Sequence, residues 1–126
     1  MAKYQFRVEV EPHFLPEQSA ASQGVFSFSY TITITNSGEV PAQLISRHWV
    51  ISNSAGEVEE VRGLGVVGQQ PFLKPGEAFQ YSSGCRLRTA TGTMQGSYFC
   101  VAEDGERFEV HVPPFMLDDG AHRVLH

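Results

Sequence analysis

The chain has 126 residues, enough for one domain with a single hydrophobic core, and 41% of them are hydrophobic while 18% are charged. This balance excludes a disordered chain, and the net charge of −5, with only nine scattered lysines and arginines, argues against a nucleic-acid partner. No apolar run is long enough to cross a bilayer and no signal segment precedes the first strand, so we expect a cytoplasmic protein without a membrane partner.

Alternation of apolar and polar residues predicts the first three strands. Residues 3–11 and 25–35 alternate as half-buried strands do, and residues 12–23 between them, with two prolines, indicate a loop. In residues 42–52 apolar side chains occupy both odd-numbered and even-numbered positions. This indicates a strand covered on both faces or one broken by a bulge near Ser46.

The second half of the sequence predicts shorter strands separated by turns that contain glycine and proline. The strands are expected over residues 57–61, 78–83, 92–102 and 107–112. Residues 84–91 indicate an irregular connection, and Pro113 and Pro114 are expected to end the last strand. The tail, residues 118–126, is expected to fray.

Seven to eight short strands without a helical period predict an all-β protein, an antiparallel β-sandwich forming a single domain over residues 1–126. Trp49 is expected to be its central buried aromatic side chain. Tyr98, two residues before Cys100, is similar to the tyrosine corner of immunoglobulin domains. Because the early strand has no cysteine partner, a fibronectin III-like or immunoglobulin-like variant without the disulfide fits better.

The densest glycine pattern of the chain lies between two of these strands, where Gly63, Gly65 and Gly68 follow Arg62 as GxGxxG. Such glycines indicate positive φ angles or a close approach of backbone. One interpretation is an anion-binding or nucleotide-binding loop, whose N–H groups face a phosphate while Arg62 adds charge. The other is a shaped loop between strands, which we favour because Pro71 follows where a dinucleotide site needs a helix.

No catalytic residues are predicted, and no metal site or cofactor. Cys85 and Cys100 are expected to be buried thiols in a reducing compartment, with a disulfide or redox pair as the alternative. His122 and His126 have a metal-ligand spacing, but they lie in a short terminal tail.

Three consecutive residues, Arg47, His48 and Trp49, are candidate partner contacts. The simplest role of His48 is to satisfy a polar position between sheet and loop, with contact to a ligand or partner as the alternative. The sequence leaves open which of the three side chains face the core.

Several segments in combination resemble the bacterial ApaG family. They are residues 44–51 (LISRHWVI), 59–71 (EEVRGLGVVGQQP), 73–77 (LKPGE), 96–98 (GSY) and 108–117 (FEVHVPPFML). The resemblance implies a fibronectin III-like β-sandwich that is encoded beside a diadenosine tetraphosphate hydrolase and linked to cobalt tolerance and magnesium efflux. It also implies that no catalytic residues are established, that similar eukaryotic domains act as interaction modules, and that the glycine loop is a proposed nucleotide or pyrophosphate site.

These observations together lead us to expect a non-enzymatic binding module that presents a loop or sheet edge to an unidentified protein partner. The alternative is a small-molecule sensor that binds pyrophosphate or a diadenosine polyphosphate at Arg62 and the glycine loop. Pairing of two copies of the chain through a sheet edge is a further expectation.

Overall fold

Eight strands build two antiparallel sheets in the part of the chain that the computed structural model describes, residues 2–120. They are β1 (Phe6–Phe14), β2 (Phe26–Asn36), β3 (Ala42–Asn53), β4 (Val58–Leu64), β5 (Phe72–Leu73), β6 (Ala78–Leu87), β7 (Thr91–Ala102) and β8 (Arg107–Asp118). Two short 3-10 helices, Pro16–Gln18 and Ala21–Gln23, join β1 to β2. The predicted all-β class and strand number are confirmed, and no helix within residues 2–120 has the length and hydropathy to span a bilayer.

The two sheets contain three and five strands. The smaller sheet has the order β1-β2-β6, and the larger has the order β4-β3-β7-β8, with β5 paired to the beginning of β3. Alternation explains the burial: in β2, Tyr30, Ile32 and Ile34 are buried between the sheets, whereas Thr31 and Thr33 on the other face are partly exposed.

The centre of the core is aromatic and spans both sheets. Trp49 of β3 is 2% exposed, which confirms its predicted position, and it packs edge-to-face against Tyr98 of β7 and Tyr30 of β2. The hydroxyl groups of Tyr98 and Tyr81 are 2.6 Å apart, so a hydrogen bond joins the two sheets at this point. In an immunoglobulin tyrosine corner the hydroxyl bonds to nearby backbone, so Tyr98 differs from that motif in its partner.

A bulge in β3 explains why its apolar residues fall on both parities. The register between β3 and β7 shifts between Leu44 and Ser46, as predicted, and Ile45 has no partner in the ladder. Leu44 and Trp49 can therefore both face the core although they have opposite parity.

Two predicted boundaries were wrong because strands extend beyond their apolar pattern. β1 continues through Pro12 to Phe14, although residues 12–23 were predicted to be a loop. β6 continues to Leu87, although residues 84–91 were predicted to be irregular. In β6 the inward positions include small, weakly apolar side chains, so the alternation is faint while the pairing with β2 continues.

A third boundary, the end of the last strand, was also wrong. β8 passes through Pro113 and Pro114 and ends at Asp118. The register with β7 shifts between Met94 and Gly96, which places both prolines where the ladder is interrupted. β8 is also an edge strand, so the missing proline N–H groups cost it little.

The predicted fraying of residues 118–126 falls mostly outside the described residues, as do His122 and His126. Within the described part, the N–H of Asp119 donates to the carbonyl of Ala90 at 3.1 Å.

The two open sides of the sandwich differ. On one side β1 and β8 close over the core, where Phe6 and Phe108 pack edge-to-face with ring centres 5.7 Å apart. On the other side β4 and β6 are the outermost strands of their sheets, and residues of both line a cleft of about 360 Å³. β4 therefore has one paired edge and one free edge.

Candidate functional site

The glycine loop is a tight two-residue turn at the end of β4. Val67 and Gly68 both have positive φ, 43° and 80°, and the N–H groups of Val66 and Gln69 each donate to the carbonyl of the other residue, at 2.8 and 2.9 Å. Positive φ at both central residues is the mark of a type I′ turn. No helix follows Gly68 before β5 begins, so the chain turns between two strands here, although Gly63 lies within β4 and not in the turn.

The bulge of β3 anchors this turn. The carbonyl of Ile45 accepts hydrogen bonds from the N–H of Gly65, at 2.7 Å, and from the side-chain amide of Gln70, at 2.9 Å. The N–H of Leu44 donates to the carbonyl of Pro71. Because Ile45 has no ladder partner on β7, its carbonyl is available for the loop.

These anchoring bonds restrict how the loop could hold an anion. The N–H groups of Gly65, Val66 and Gln69 already donate to carbonyl groups, whereas no acceptor within residues 2–120 takes the N–H groups of Val67 and Gly68. A phosphate at the loop would therefore depend on the two tip amides and a neighbouring cation. Anion binding by Arg62, Gly63, Gly65 and Gly68 stays a prediction.

Gly63 and Gly65 are needed because other atoms of the chain approach each of them closely. A Cβ atom on Gly63 would lie 2.8 Å from Nη2 of Arg47, whose guanidinium covers the glycine across the strand pair. A Cβ atom on Gly65 would lie 2.3 Å from the carbonyl oxygen of Gln69. The expectation of positive φ or close backbone approach is confirmed for Gly65 and Gly68, which lie in the left-handed region, but it was wrong for Gly63, which is approached by the Arg47 side chain.

The three residues predicted as partner contacts point in different directions. Trp49 belongs to the core and offers no surface to a partner. Arg47 also projects from the inner face of β3, and its Nη1 donates to the carbonyls of Leu64 and Gly65 at 3.0 and 2.9 Å. His48 lies on the outer face, where its Nε2 is 3.2 Å from Oε1 of Glu60.

A shallow pocket of about 450 Å³ occupies the outer face of the five-stranded sheet. Its lining includes His48, Arg62, Leu64, Phe99 and Glu109, which we call the Arg62 face. The register brings them together: Arg62 is opposite His48, and Ser46 pairs with Leu64 on one side and Phe99 on the other.

The Arg62 face combines an exposed apolar side chain with an unpaired cation. Leu64 is 75% exposed. No carboxylate among residues 2–120 lies within 4.0 Å of the guanidinium of Arg62. Leu64 and the partly exposed Phe99 therefore give this face a small apolar area beside a cation.

Sequence reasoning selected Arg62 and His48 but missed Leu64 and Phe99. A signal for Leu64 was present, because it follows Arg62 by two residues and a strand places such residues on one face. Phe99 could not be assigned without knowing that β7 pairs with β3 across the bulge.

The two thiols are poor nucleophiles. Cys85 and Cys100 are unpaired and lie on different sheets. Burial raises the pKa of Cys85 to about 11, with a smaller contribution from Glu59, and raises that of Cys100 to about 12. No group of three or more His, Cys, Asp and Glu side chains suited to a metal ion occurs within residues 2–120.

Comparison with known proteins agrees with the fold. The ApaG domain family model matches residues 16–102. Protein ApaG of Acidovorax sp. strain JS42 is 68% identical over 120 residues, covering 94% of this chain and 88% of that protein, and Protein ApaG of Ralstonia nicotianae is 56% identical over the full length of both. A crystal structure of an ApaA protein from Bordetella pertussis, 53% identical, superimposes with a TM-score of 0.93 over 95% of this chain and 98% of that one. The chain belongs to the ApaG family.

Proposed function

We propose that the chain is a non-enzymatic binding module that holds an extended segment of a protein partner beside β4, next to the Arg62 face. The observation that carries this proposal is that Leu64, three quarters exposed, shares one concave surface with the guanidinium of Arg62, which has no carboxylate within 4.0 Å among residues 2–120. An apolar anchor beside a cation is a combination that protein interfaces use often.

The free edge of β4 supports the geometry. Among the strands of residues 2–120, β4 pairs with β3 alone, so its outer edge can accept a strand from a partner. Side chains of an added strand lie directly beside those of the edge strand on the same face. The outward side chains of β4 are those of Val58, Glu60, Arg62 and Leu64, so we expect a partner segment that alternates apolar, basic, acidic and apolar residues at every second position.

A link to cobalt tolerance or magnesium efflux is, under this proposal, indirect and runs through the bound partner. Neither metal is ligated by the chain itself in this scheme. Magnesium requires several oxygen ligands and cobalt accepts imidazole, and the described residues offer no such cluster.

Photocrosslinking in cells that express the chain tests the proposal. We would replace Leu64 by p-benzoylphenylalanine and, as a matched control, Glu9 on the exposed face of β1. We expect one discrete adduct from position 64, none from position 9, and loss of the adduct when Arg62→Glu is added, because the substitution reverses the charge that selects the acidic residue.

Two outcomes would contradict this assignment. Equal labelling from positions 64 and 9 would mean that the surface has no selective partner, and an adduct insensitive to Arg62→Glu would remove the charge from recognition. An adduct of twice the chain's mass would instead identify a second copy joined through the sheet edge.

The second candidate function is a sensor of pyrophosphate or a diadenosine polyphosphate at the glycine loop. It is favoured by the unpaired guanidinium of Arg62 and by the tip amides of Val67 and Gly68, which have no acceptor within residues 2–120. It is weakened by the three loop amides that already donate to carbonyls.

Titration followed by amide NMR separates the two candidates. Pyrophosphate and diadenosine tetraphosphate, with Mg²⁺ and Co²⁺ in separate arms, are added while the resonances of residues 63–68 are recorded. If both phosphates leave these resonances unmoved at millimolar concentration, the sensor is excluded; tight Co²⁺ binding would contradict the indirect metal link.

A further inference from the structure

The cleft between β4 and β6 reaches from solvent to the centre of the core. Its floor is formed by Tyr30, Trp49, Ile51 and Met94, each at most 6% exposed, and its volume of about 360 Å³ lies within the range of small-molecule sites. It lies on the inner side of β4, whereas the Arg62 face is on the outer side.

One end of the cleft is lined by Arg47. Its Nη1 is committed to the carbonyls of Leu64 and Gly65, but no acceptor within residues 2–120 takes the N–H groups of Nε and Nη2. No carboxylate in the described part of the chain lies within 4.0 Å of this guanidinium. A partly buried cation without a counter-ion is unfavourable, and a bound anion would relieve that cost.

The charge of Arg47 affects the pKa of two tyrosine hydroxyls inside the sandwich. Burial raises the pKa of the Tyr30 and Tyr81 hydroxyls, and the nearby guanidinium of Arg47 acts in the opposite direction on both. The guanidinium therefore lies close enough to both hydroxyls for its charge to act on them.

The rim carries charges of both signs and small polar groups. Arg86 of β6 adds a second cation and Glu59 of β4 a carboxylate, while Ser83 contributes a hydroxyl. The carboxylate disfavours a multiply charged anion such as a phosphate ester, whereas a planar monocarboxylate matches the two remaining donors of one guanidinium.

We propose that this cleft binds a small monocarboxylate whose carboxylate group pairs with Arg47 and whose short apolar body packs on Ile51 and Met94. This site opens on the inner side of β4, opposite the partner surface proposed above, and Arg47 lines both pockets. Because Arg47 also holds the carbonyls of Leu64 and Gly65, an occupied cleft is expected to shift the amide signals of the glycine loop as well.

Hexanoate is a suitable probe, and hexanamide is its neutral counterpart of nearly the same shape. Given the ligand's size, we expect a dissociation constant of order 1 mM, followed through the Met94 methyl and the Ser83 and Cys85 amide signals. Hexanamide should bind at least about tenfold more weakly, since it lacks the charge-assisted bonds to Arg47.

Three variants complete the test. Arg47→Gln should abolish the preference for hexanoate over hexanamide, whereas Arg62→Gln, on the outer face, should leave it unchanged. Since Arg47→Gln also removes loop contacts, its fold is checked by circular dichroism, and Ser83→Leu, which fills the cleft and leaves Arg47 in place, should block the probe independently.

The proposal is overturned if hexanoate and hexanamide bind equally, if Ser83→Leu has no effect on hexanoate binding, or if hexanoate shifts the Arg62 face and not the cleft. Absence of any shift at about 20 mM hexanoate, far above the expected dissociation constant, would also overturn it.

Discussion

The guanidinium of Arg47 lies directly over Gly63 on the neighbouring strand, and from there its Nη1 reaches the next two carbonyls of the chain, those of Leu64 and Gly65. The first glycine of the GxGxxG pattern thus makes room for an arginine of this chain. One side chain thereby joins the core side of β3 to the glycine loop.

Gly63→Ala should therefore destabilise the protein by about 1–2 kcal/mol, because the new methyl group displaces the guanidinium and breaks its hydrogen bonds. The measurement is urea unfolding of Gly63→Ala, Arg47→Ala and the double variant. In the Arg47→Ala background the alanine at position 63 should cost little. Additive effects of the two substitutions would show that the glycine is needed for another reason.

Val67 is a β-branched residue with φ of 43°, a conformation that costs such a side chain about 1–3 kcal/mol, and it is 54% exposed. Val67→Asn should stabilise the fold by about 1 kcal/mol, since asparagine tolerates the left-handed region of a type I′ turn. Thermal unfolding measures the gain. Val58→Asn, at an exposed position in β4, is the matched control and should give no gain.

Much of the fold follows from alternation, as in β2, and the bulge near Ser46 was visible because apolar residues change parity there. Strand ends were harder, since the pairing partner and not the pattern decides whether Pro113 can remain in a strand. The GxGxxG pattern predicted a tightly packed backbone, but it did not predict which side chain occupies the space over Gly63. That occupant, Arg47, is 16 positions earlier in the sequence and becomes a neighbour only when β3 pairs with β4.

Dependence on strand pairing also explains why only some residues of the Arg62 face were predicted. Arg62 and His48 stand out as isolated charged or titratable residues in an apolar context, so a sequence can mark them. In the sequence Phe99 cannot be distinguished from the other apolar residues of its strand. Its outward direction depends on the register between β7 and β3, and the local sequence pattern does not determine that register.

The buried hydroxyl pair of Tyr81 and Tyr98 should make the protein sensitive to alkali. Burial raises the pKa of both hydroxyls far above their ordinary value of 10.0. This stabilisation is fully present below pH 10 and is lost as pH rises, by about 1.4 kcal/mol per pH unit for each tyrosine, because the unfolded chain releases protons that the folded chain keeps.

The test compares the urea unfolding free energy between pH 9 and 11 for the wild type and for Tyr81→Phe/Tyr98→Phe. The double variant removes both hydroxyls together, so neither is left without a partner, and its pH slope should be shallower by up to about 2.7 kcal/mol per unit. An unchanged slope would mean that other groups control alkaline unfolding.

Cys85 should react slowly with iodoacetamide although it lies in the cleft. With its pKa raised to about 11 by burial, only about one thiol in a thousand is ionised at pH 8, and the thiolate is the reactive form. We expect alkylation of the folded protein, followed by intact mass, to be at least about 100-fold slower than in urea, since an ordinary thiol has a pKa near 8.5.

Cys85→Ser should remove most of the remaining reaction, because Cys100 is fully buried, whereas Cys100→Ser should leave it unchanged. Complete labelling of folded Cys85 at the rate seen in urea would show that its thiol is not desolvated and that the cleft is wider open to water than its lining indicates.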